Sequence, residues 1–301
     1  MQNKDKLIGS IAALIPNIIF GFSFLFSKIA LTYSHPMVMV AIRFTLAFLV
    51  LNLLWVFRLI KLNFKGKNLK KLFLMALVQP LLYFIFESYG IAQTSSAISG
   101  VIISLSPICV IFISLLFLSE KPTRRQILFS FVSLASVAAI SFLSNDGKTS
   151  TPLGIILLFF AALSGALYTI LSRSEAENFT PVERTYMMFL FGAVGFNLIA
   201  FVTLRENTVS EYIRAASSPE FWGSMVYLAI LSSIVAFMLM NYATSKIDAV
   251  LVSSFSNLIT VVSVLAGIFI MKENLSSIQL FFCAMIILGV YGANYQKREK
   301  I

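Results

Sequence analysis

The chain alternates between long apolar runs and short polar segments. Each run is about 18 to 25 residues long and does not alternate, which is the length that a helix needs to cross a bilayer. Lipid offers backbone groups no partners, so helices are expected and a barrel of alternating strands is not. The pattern predicts ten spans joined as antiparallel hairpins, with bounds near Leu7–Leu31, Met37–Phe57, Leu72–Tyr89, Ala97–Leu118, Ile127–Leu143, Leu153–Leu171, Thr185–Leu204, Phe221–Ala243, Ala249–Met271 and Ile278–Tyr295.

The composition agrees with a membrane class. Of the 301 residues, 58% are hydrophobic and only 12% are charged, whereas soluble domains carry about 25% charged residues. We therefore expect an all-α integral membrane protein. The first apolar run resembles a signal peptide, but it is too long and no small-residue cleavage site follows it. We expect it to be retained as the first span.

The net charge of +10 reflects an uneven distribution of lysine and arginine. With the N-terminus placed inside, 17 basic residues fall on the inner side and 4 on the outer side, leaving Lys28 and Arg43 within spans. The positive-inside rule then predicts ten spans with both termini cytoplasmic, in an inner or plasma membrane. No basic cluster is interleaved with aromatics in a polar context, so nucleic acid is not an expected partner.

The residues that usually carry catalysis or bind metals are scarce. Cys109 and Cys283 lie inside apolar runs, as small buried side chains do, and His35 is the only histidine. The chain has no HExxH or CxxC motif and no GxxxxGK[ST] loop for ATP. We therefore expect no enzyme activity, no metal and no cofactor. A channel or a non-transporting receptor remains an alternative, although no filter motif is present.

Two parts of the chain resemble each other. The segment that begins "ESYGIAQ" at Glu87 aligns without gaps with the segment that begins "MNYATSK" at Met240, an offset of 153 residues. The first helices also correspond loosely, with Gly21 opposite Gly165. Five helices per copy would place the second copy upside down, an arrangement found in secondary transporters with a central substrate site. The matched residues include Tyr89 with Tyr242, Glu120 with Glu273, Gln126 with Gln279, and Pro36 with Pro181.

Three segments carry a resemblance to a known family. "FGFSFLFSK", "HPMVMVAIRF" and "SLSPICVIFISLLFLSEKP" resemble the EamA family of the drug/metabolite transporter superfamily, as two units over residues 1–145 and 151–297. The second unit departs from the pattern at Thr260, where the family usually has proline, and at Leu275. The first unit matches at Lys28, Pro36, Arg43, Pro107 and Glu120.

The resemblance implies a ten-helix transporter made of two inverted five-helix halves. It implies a central cavity lined by helices 1–4 and 6–9, with helices 5 and 10 at the periphery. The family moves small metabolites and often exports amino acids or related compounds. Many chemistries share one scaffold, so the resemblance does not fix the substrate.

Charges inside the predicted spans are the first candidates for a site, because an intramembrane charge is costly. Lys28, Arg43 and Glu87 lie at similar depth in the outer half and are placed to meet, whereas Glu120 ends helix 4. One interpretation is a fixed ion pair of Glu87 with Lys28 or Arg43, since buried charges need partners.

The other interpretation is functional. If all three groups are ionised, they sum to +1 and suit a carboxylate, as in an amino acid or organic acid. If burial keeps the Glu87 carboxyl protonated, it carries a proton that couples to transport. A competing possibility is an organic cation held by Glu87 with the rings of Tyr83 and Phe84.

Other features extend the predicted site. Polar residues at mid-span either line the cavity or form interhelical hydrogen bonds. The prolines Pro16, Pro80 and Pro107 are expected to kink helices. Small residues in "SFVSLASVAA" and "GVYGAN" predict close contact of helices 5 and 10, within one chain or in a homodimer. The polar candidates are Asn17, Gln79, Tyr168, Asn241 and Asn257.

Overall fold

The computed structural model describes residues 2–93, 102–103, 105–117, 122–143, 151–271 and 277–294, and this part of the chain is helical without a strand. The short turn Arg205–Asn207 joins the seventh helix to the eighth. The helices are α1 (Gln2–Tyr33), α2 (Pro36–Val56), α3 (Lys70–Ala92), α4 (Ser106–Phe117), α5 (Arg124–Leu143), α6 (Pro152–Ser174), α7 (Pro181–Leu204), α8 (Thr208–Ala216), α9 (Pro219–Lys246), α10 (Ala249–Ser254), α11 (Asn257–Met271) and α12 (Ser277–Asn294).

Six helical stretches of the described chain are long and apolar enough to cross a membrane. Shorter apolar helices cover Ala249–Ser263 and Leu280–Gly289. The all-helical membrane class is confirmed, and the count of ten crossings stays a prediction. Glu120, Glu273 and part of the predicted fourth span lie outside the described residues. The six stretches are Asp5–Tyr33, Pro36–Val56, Lys70–Ala92, Pro152–Ser174, Pro181–Ala216 and Pro219–Lys246.

Four long helices begin in the same way, with a capping side chain followed by proline. His35, Thr151, Thr180 and Ser218 each accept a hydrogen bond from a backbone N–H of the first turn. Proline at the first helical position loses no intrahelical bond there. Burial lowers the pKa of the His35 imidazole, which favours the neutral ring whose Nδ1 accepts the bond from Met37 N.

The helices pack across the two predicted halves. α2 packs against α7, and α5 packs against α12. α1 lies between α9 and α11, just as α6 lies between α3 and α4. The predicted contact of helices 5 and 10 is confirmed within one chain, because a Cβ at Gly289 or Gly292 would collide with Ser133 or Phe129 of α5.

Three helices are less regular than the sequence suggests. α3 is interrupted at Gln79, which has extended backbone angles (φ −144°, ψ 118°) just before Pro80. α9 adopts wider π-type turns over Tyr227–Val235. The span predicted over Ala249–Met271 is also irregular, because a turn at Phe255 and Ser256 separates α10 from α11. Pro107 lies at the second residue of α4 rather than inside a helix.

Candidate functional site

A cavity of about 110 Å³ lies among α1, α2, α3, α4, α6, α9 and α11. Its wall runs from Asn17 to Ser27 on α1 and from Gln79 to Ile91 on α3. Both stretches extend from the middle of the helix towards its C-terminal end. A cavity of this size holds a small solute, since one water molecule needs about 10–15 Å³ of such space.

Equivalent positions of the two halves line this cavity. In the third and fourth helices of each half the paired positions are 153 residues apart, the offset of the sequence repeat. In the first helices the spacing is 145, as for Pro36 and Pro181, so the predicted match of Gly21 with Gly165 is displaced by one residue. The lining pairs are Gln79 with Ser232, Phe84 with Phe237, Glu87 with Met240, Ile103 with Ser256, Ser106 with Ile259, Asn17 with Ala162, Phe20 with Gly165, Ser23 with Tyr168, and Phe24 with Thr169.

Arg43 is buried and held in a fixed position on the cavity wall. Its Nε donates to Ser233 Oγ and its Nη2 donates to Ser232 Oγ, both at 2.9 Å. Ser23 Oγ donates to Ser232 Oγ at 2.7 Å, and the guanidinium lies 4.8 Å from the Phe84 ring centre. These partners are neutral hydroxyls and a ring, so no anion of the described residues contacts the guanidinium directly.

Glu87 lies on the same wall, one helical turn beyond Tyr83. The Tyr83 hydroxyl donates to Glu87 Oε1 at 2.9 Å. Both charged groups line the cavity, yet Arg43 and Glu87 form no ion pair within 4.0 Å in the described structure. The fixed ion pair with Arg43 is therefore not formed in the described structure, and the cavity holds an acidic and a basic group that are not in direct contact.

Lys28 does not join them. Its side chain is exposed and lies outside the cavity lining. The expected meeting of Lys28, Arg43 and Glu87 is wrong for Lys28, because α1 turns that position away from the wall that carries Ser23 and Ser27. The ionised cavity charges then sum to zero instead of +1.

Two amide side chains, those of Asn17 and Gln79, belong to the cavity wall. Asn17 is fully buried, and its Nδ2 donates to Ala13 O at 2.6 Å. Its Oδ1 has no partner among the described residues. Gln79 lies at the interruption of α3 and also lines the cavity.

Tyr168 and Asn241 form a buried hydrogen-bond network next to the cavity. Tyr168 lines the cavity and donates to Asn241 Oδ1 at 2.8 Å. Asn241 is outside the lining, and its Nδ2 donates to Thr185 Oγ1 at 2.9 Å. Asn257, also outside the lining, is buried with an Oδ1 that lacks a partner in the described structure.

Sequence reasoning missed Arg184, which is fully buried in this network. Its guanidinium donates to the hydroxyls of Ser172, Thr244 and Ser245 and to two carbonyl groups. The sequence placed Arg184 among the inner basic residues, because it follows a loop and precedes the apolar run. No local signal separates this buried arginine from a solvated one.

Ion pairs between the two halves cluster at the end where α1 and α3 begin. Lys67 contacts Glu183 at 2.8 Å, Lys71 contacts Glu175 at 2.7 Å, and Lys246 contacts Asp5 at 3.2 Å. Glu175 and Glu183 are each only 2% exposed. Ion pairs therefore connect the two halves at this end, which we call the tied end. The cavity extends towards the opposite end.

Comparison with known proteins decides the family. A model of the EamA-like transporter family matches residues 7–142 and again residues 152–295. The chain belongs to the EamA-like transporter family. The resemblance found in the sequence is confirmed, and the chain is a multi-pass membrane transporter.

Relatives of this EamA-like transporter span its whole length. It is 35% identical over 302 residues to the uncharacterized transporter YcxC of Bacillus subtilis, covering 100% of this chain and 97% of the relative. It is 26% identical over 273 residues to an uncharacterized transporter of Archaeoglobus fulgidus, covering 90% and 93%. A crystal structure with 16% identity superposes with a TM-score of 0.74 over 96% of this chain and 98% of that one. The last comparison shows the shared fold.

Proposed function

We propose that this protein is a secondary transporter that moves a small zwitterionic metabolite, an amino acid or a related carboxylate, by alternating access. The observation that carries the proposal is one cavity that holds Arg43 and Glu87 without a direct ion pair. A buried charge without a direct counter-ion is costly. A solute with a carboxylate and an ammonium group would compensate both charges.

Each charged group has the geometry for its role. The guanidinium of Arg43 is fixed by Ser232 and Ser233 through Nε and Nη2, which leaves its other N–H groups for a carboxylate. Glu87 would accept a hydrogen bond from the ammonium group of the solute, while its Oε1 keeps the hydrogen bond from the Tyr83 hydroxyl. Asn17, Gln79 and Tyr168 are the further polar residues of the proposed site.

The proposed architecture is ten crossings in two inverted halves, about residues 1–145 and 151–297. Its support is the mirrored packing of α1 and α6, the equivalent lining positions and the two regions matched by the family model. Each half also deforms its third helix at the same place, at Gln79 and at Ser232. Interrupted helices at the repeat interface are a device by which transporters build a site.

The tied end is proposed to be cytoplasmic, with both termini on that side of an inner or plasma membrane. The basic residues of the 57–71 region support this orientation. The described state then has its cytoplasmic end closed by the ion pairs between the halves. Rocking of the halves would break these contacts and open the site inward.

Transport in proteoliposomes tests the function. The protein is reconstituted and offered a mixed pool of amino acids and other small metabolites, and uptake is measured by mass spectrometry with and without a pH gradient. We expect zwitterions to accumulate in wild type. A gradient response that is lost in Glu87→Gln would identify proton coupling, and exchange or facilitated diffusion would show no such loss. Uptake no greater than in empty liposomes for every solute would refute the proposal.

A second candidate substrate is an organic cation held by Glu87 and the aromatic rings. The Tyr83 and Phe84 rings lie 5.0 Å apart beside Glu87 and favour this candidate. Arg43 argues against this candidate. Its guanidinium already lies over the face of the Phe84 ring, and its positive charge repels a second cation. If cations are the substrates, neutral Arg43→Gln should transport them better than wild type, whereas zwitterion transport should fall.

A further inference from the structure

The segment between α2 and α3 carries a group of cations that differs from the rest of this end. Within residues 57–70, which we call the basic segment, Arg58, Lys61, Lys65 and Lys70 are all exposed. No carboxylate of the described chain lies within 4.0 Å of any of the four. Four side chains of the same charge therefore share one surface without a counter-ion among the residues that the structure describes.

Other cations at this end have protein partners. Lys67 and Lys71 contact Glu183 and Glu175, Lys246 contacts Asp5, and Arg173 lies 3.7 Å from Asp248. The fold therefore does not leave all the cations at this end to solvent. A carboxylate partner thus distinguishes these cations from the four cations of the basic segment.

The basic segment is anchored to the protein. Ile60 and Phe64 pack against the core, and the Phe64 ring lies 6.3 Å from the Tyr186 ring of α7. The backbone N–H of Asn63 donates to Glu183 Oε1 at 3.0 Å. These contacts fix the inner side of the segment, so its exposed cations form a defined surface.

Large apolar side chains stand exposed beside these cations. Phe57 is 70% exposed, Leu59 is 72% exposed, and Phe73 in the first turn of α3 is 52% exposed. Apolar side chains next to lysine and arginine at the end of a membrane span match the headgroup region, where apolar groups enter the acyl boundary and cations meet phosphates. Water solvates the cations but leaves the exposed apolar side chains beside them poorly accommodated.

We propose that the basic segment is a binding surface for anionic phospholipids, with Arg58, Lys61, Lys65 and Lys70 contacting the phosphate groups. Its apolar neighbours Phe57, Leu59 and Phe73 would lie in the acyl boundary of the same lipids. Basic groups next to a span attract anionic lipid, and each contributes separately. The surface is separate from the cavity and does not depend on which solute is transported.

Native mass spectrometry of the full-length protein tests this surface. The protein in mild detergent is titrated with phosphatidylglycerol or with phosphatidylcholine of the same acyl chains, and the bound lipids are counted. The variants are Arg58→Gln/Lys61→Gln and Lys65→Gln/Lys70→Gln. The matched control is Arg124→Gln/Arg205→Gln, which removes the same charge from two other exposed positions. Melting temperature confirms that each variant is folded.

We expect wild type and control to prefer phosphatidylglycerol at least tenfold, and each basic-segment variant to lose several-fold of this preference. High salt should weaken the preference, since exposed charges are screened. Equal binding of the two lipids by wild type would overturn the proposal. So would an equal loss in the control, which would mean that net charge alone attracts lipid, or an unchanged preference in both folded basic-segment variants.

Discussion

At the scale of single residues, the site depends on how Arg43 is held. Two neighbouring serines, Ser232 and Ser233, accept from one guanidinium. In a regular α-helix neighbouring side chains diverge, and the π-type turns of α9 bring these two to the same partner. The serines therefore fix the orientation of Arg43 without neutralising it, as the proposed binding of a carboxylate requires.

Replacing Ser232 or Ser233 by alanine should weaken substrate binding. Hydrogen bonds to charged groups contribute about 1.5–3 kcal/mol, so we expect an increase in KM of about tenfold. The measurement is uptake into proteoliposomes at varied substrate concentration. Ser224→Ala is the control, because Ser224 is equally buried on α9 but donates to its own helix at Glu220 O. A KM like that of the control would argue against the positioning role.

The sequence indicated some of these residues and missed others. An arginine and a glutamate inside apolar runs are visible because charge is rare there, and both line the cavity. Lys28 was equally visible, but the rotation of α1 depends on tertiary packing. Ser232 and Ser233 were missed because serines occur widely in spans, and only the deformation of α9 directs them to Arg43.

At the scale of helices, close packing depends on glycine at the contact of α2 with α7. A Cβ at Gly192 would lie 2.6 Å from the Phe44 ring and 2.9 Å from Pro80. Gly223 on α9 has no atom within 4 Å of the same position. The two glycines therefore differ in what an added methyl group would meet.

Gly192→Ala should lower the stability of the protein, by about 1–3 kcal/mol for an overpacked contact. Gly223→Ala should be neutral or stabilise by up to about 1 kcal/mol, because alanine favours a helix. Melting temperatures in one detergent provide the comparison. Equal melting of the two variants would show that the close contact of α7 with Phe44 is not required.

The hydropathy pattern located most helices but not their interruptions. Apolar length predicts where a helix runs, and the bounds agree closely for α2, α6 and α9. The extended backbone of Gln79 and the break between α10 and α11 leave the apolar pattern unchanged. Pro80 indicated the interruption at Gln79. The sequence "VSSFSN" at the junction of α10 and α11 contains no glycine or proline that would indicate the break there.

At the scale of the whole molecule, ion pairs between the two halves lie at the tied end. Lys67 with Glu183 and Lys71 with Glu175 join the two halves through nearly buried carboxylates. At the other end, the ion pair in the described structure is Arg214 with Glu211, within one helix. Among the described residues, the ion pairs between the halves therefore lie at the end that carries the basic segment.

The double variant Glu175→Gln/Glu183→Gln should shift the protein towards the state open at the basic end. Glutamine at position 183 can still cap α7 in place of the carboxylate, so the change removes charge and keeps the helix start. A cysteine introduced at Met240 in the cavity reports access, and its labelling from the basic side should rise several-fold. Glu211→Gln is the control. Labelling that matches the control would show that these ion pairs do not hold the end closed.

The central claim is that Arg43 receives a carboxylate and Glu87 receives an ammonium group in one cavity. The most direct measurement is competition for uptake of the transported zwitterion in proteoliposomes. The competitors are the zwitterion itself, the amine that lacks its carboxylate, and the acid that lacks its amine. We predict that wild type prefers the zwitterion, that Arg43→Gln loses the preference over the amine, and that Glu87→Gln loses the preference over the acid. If both folded variants keep the wild-type order of competitors, these charges do not bind the substrate and the account is contradicted.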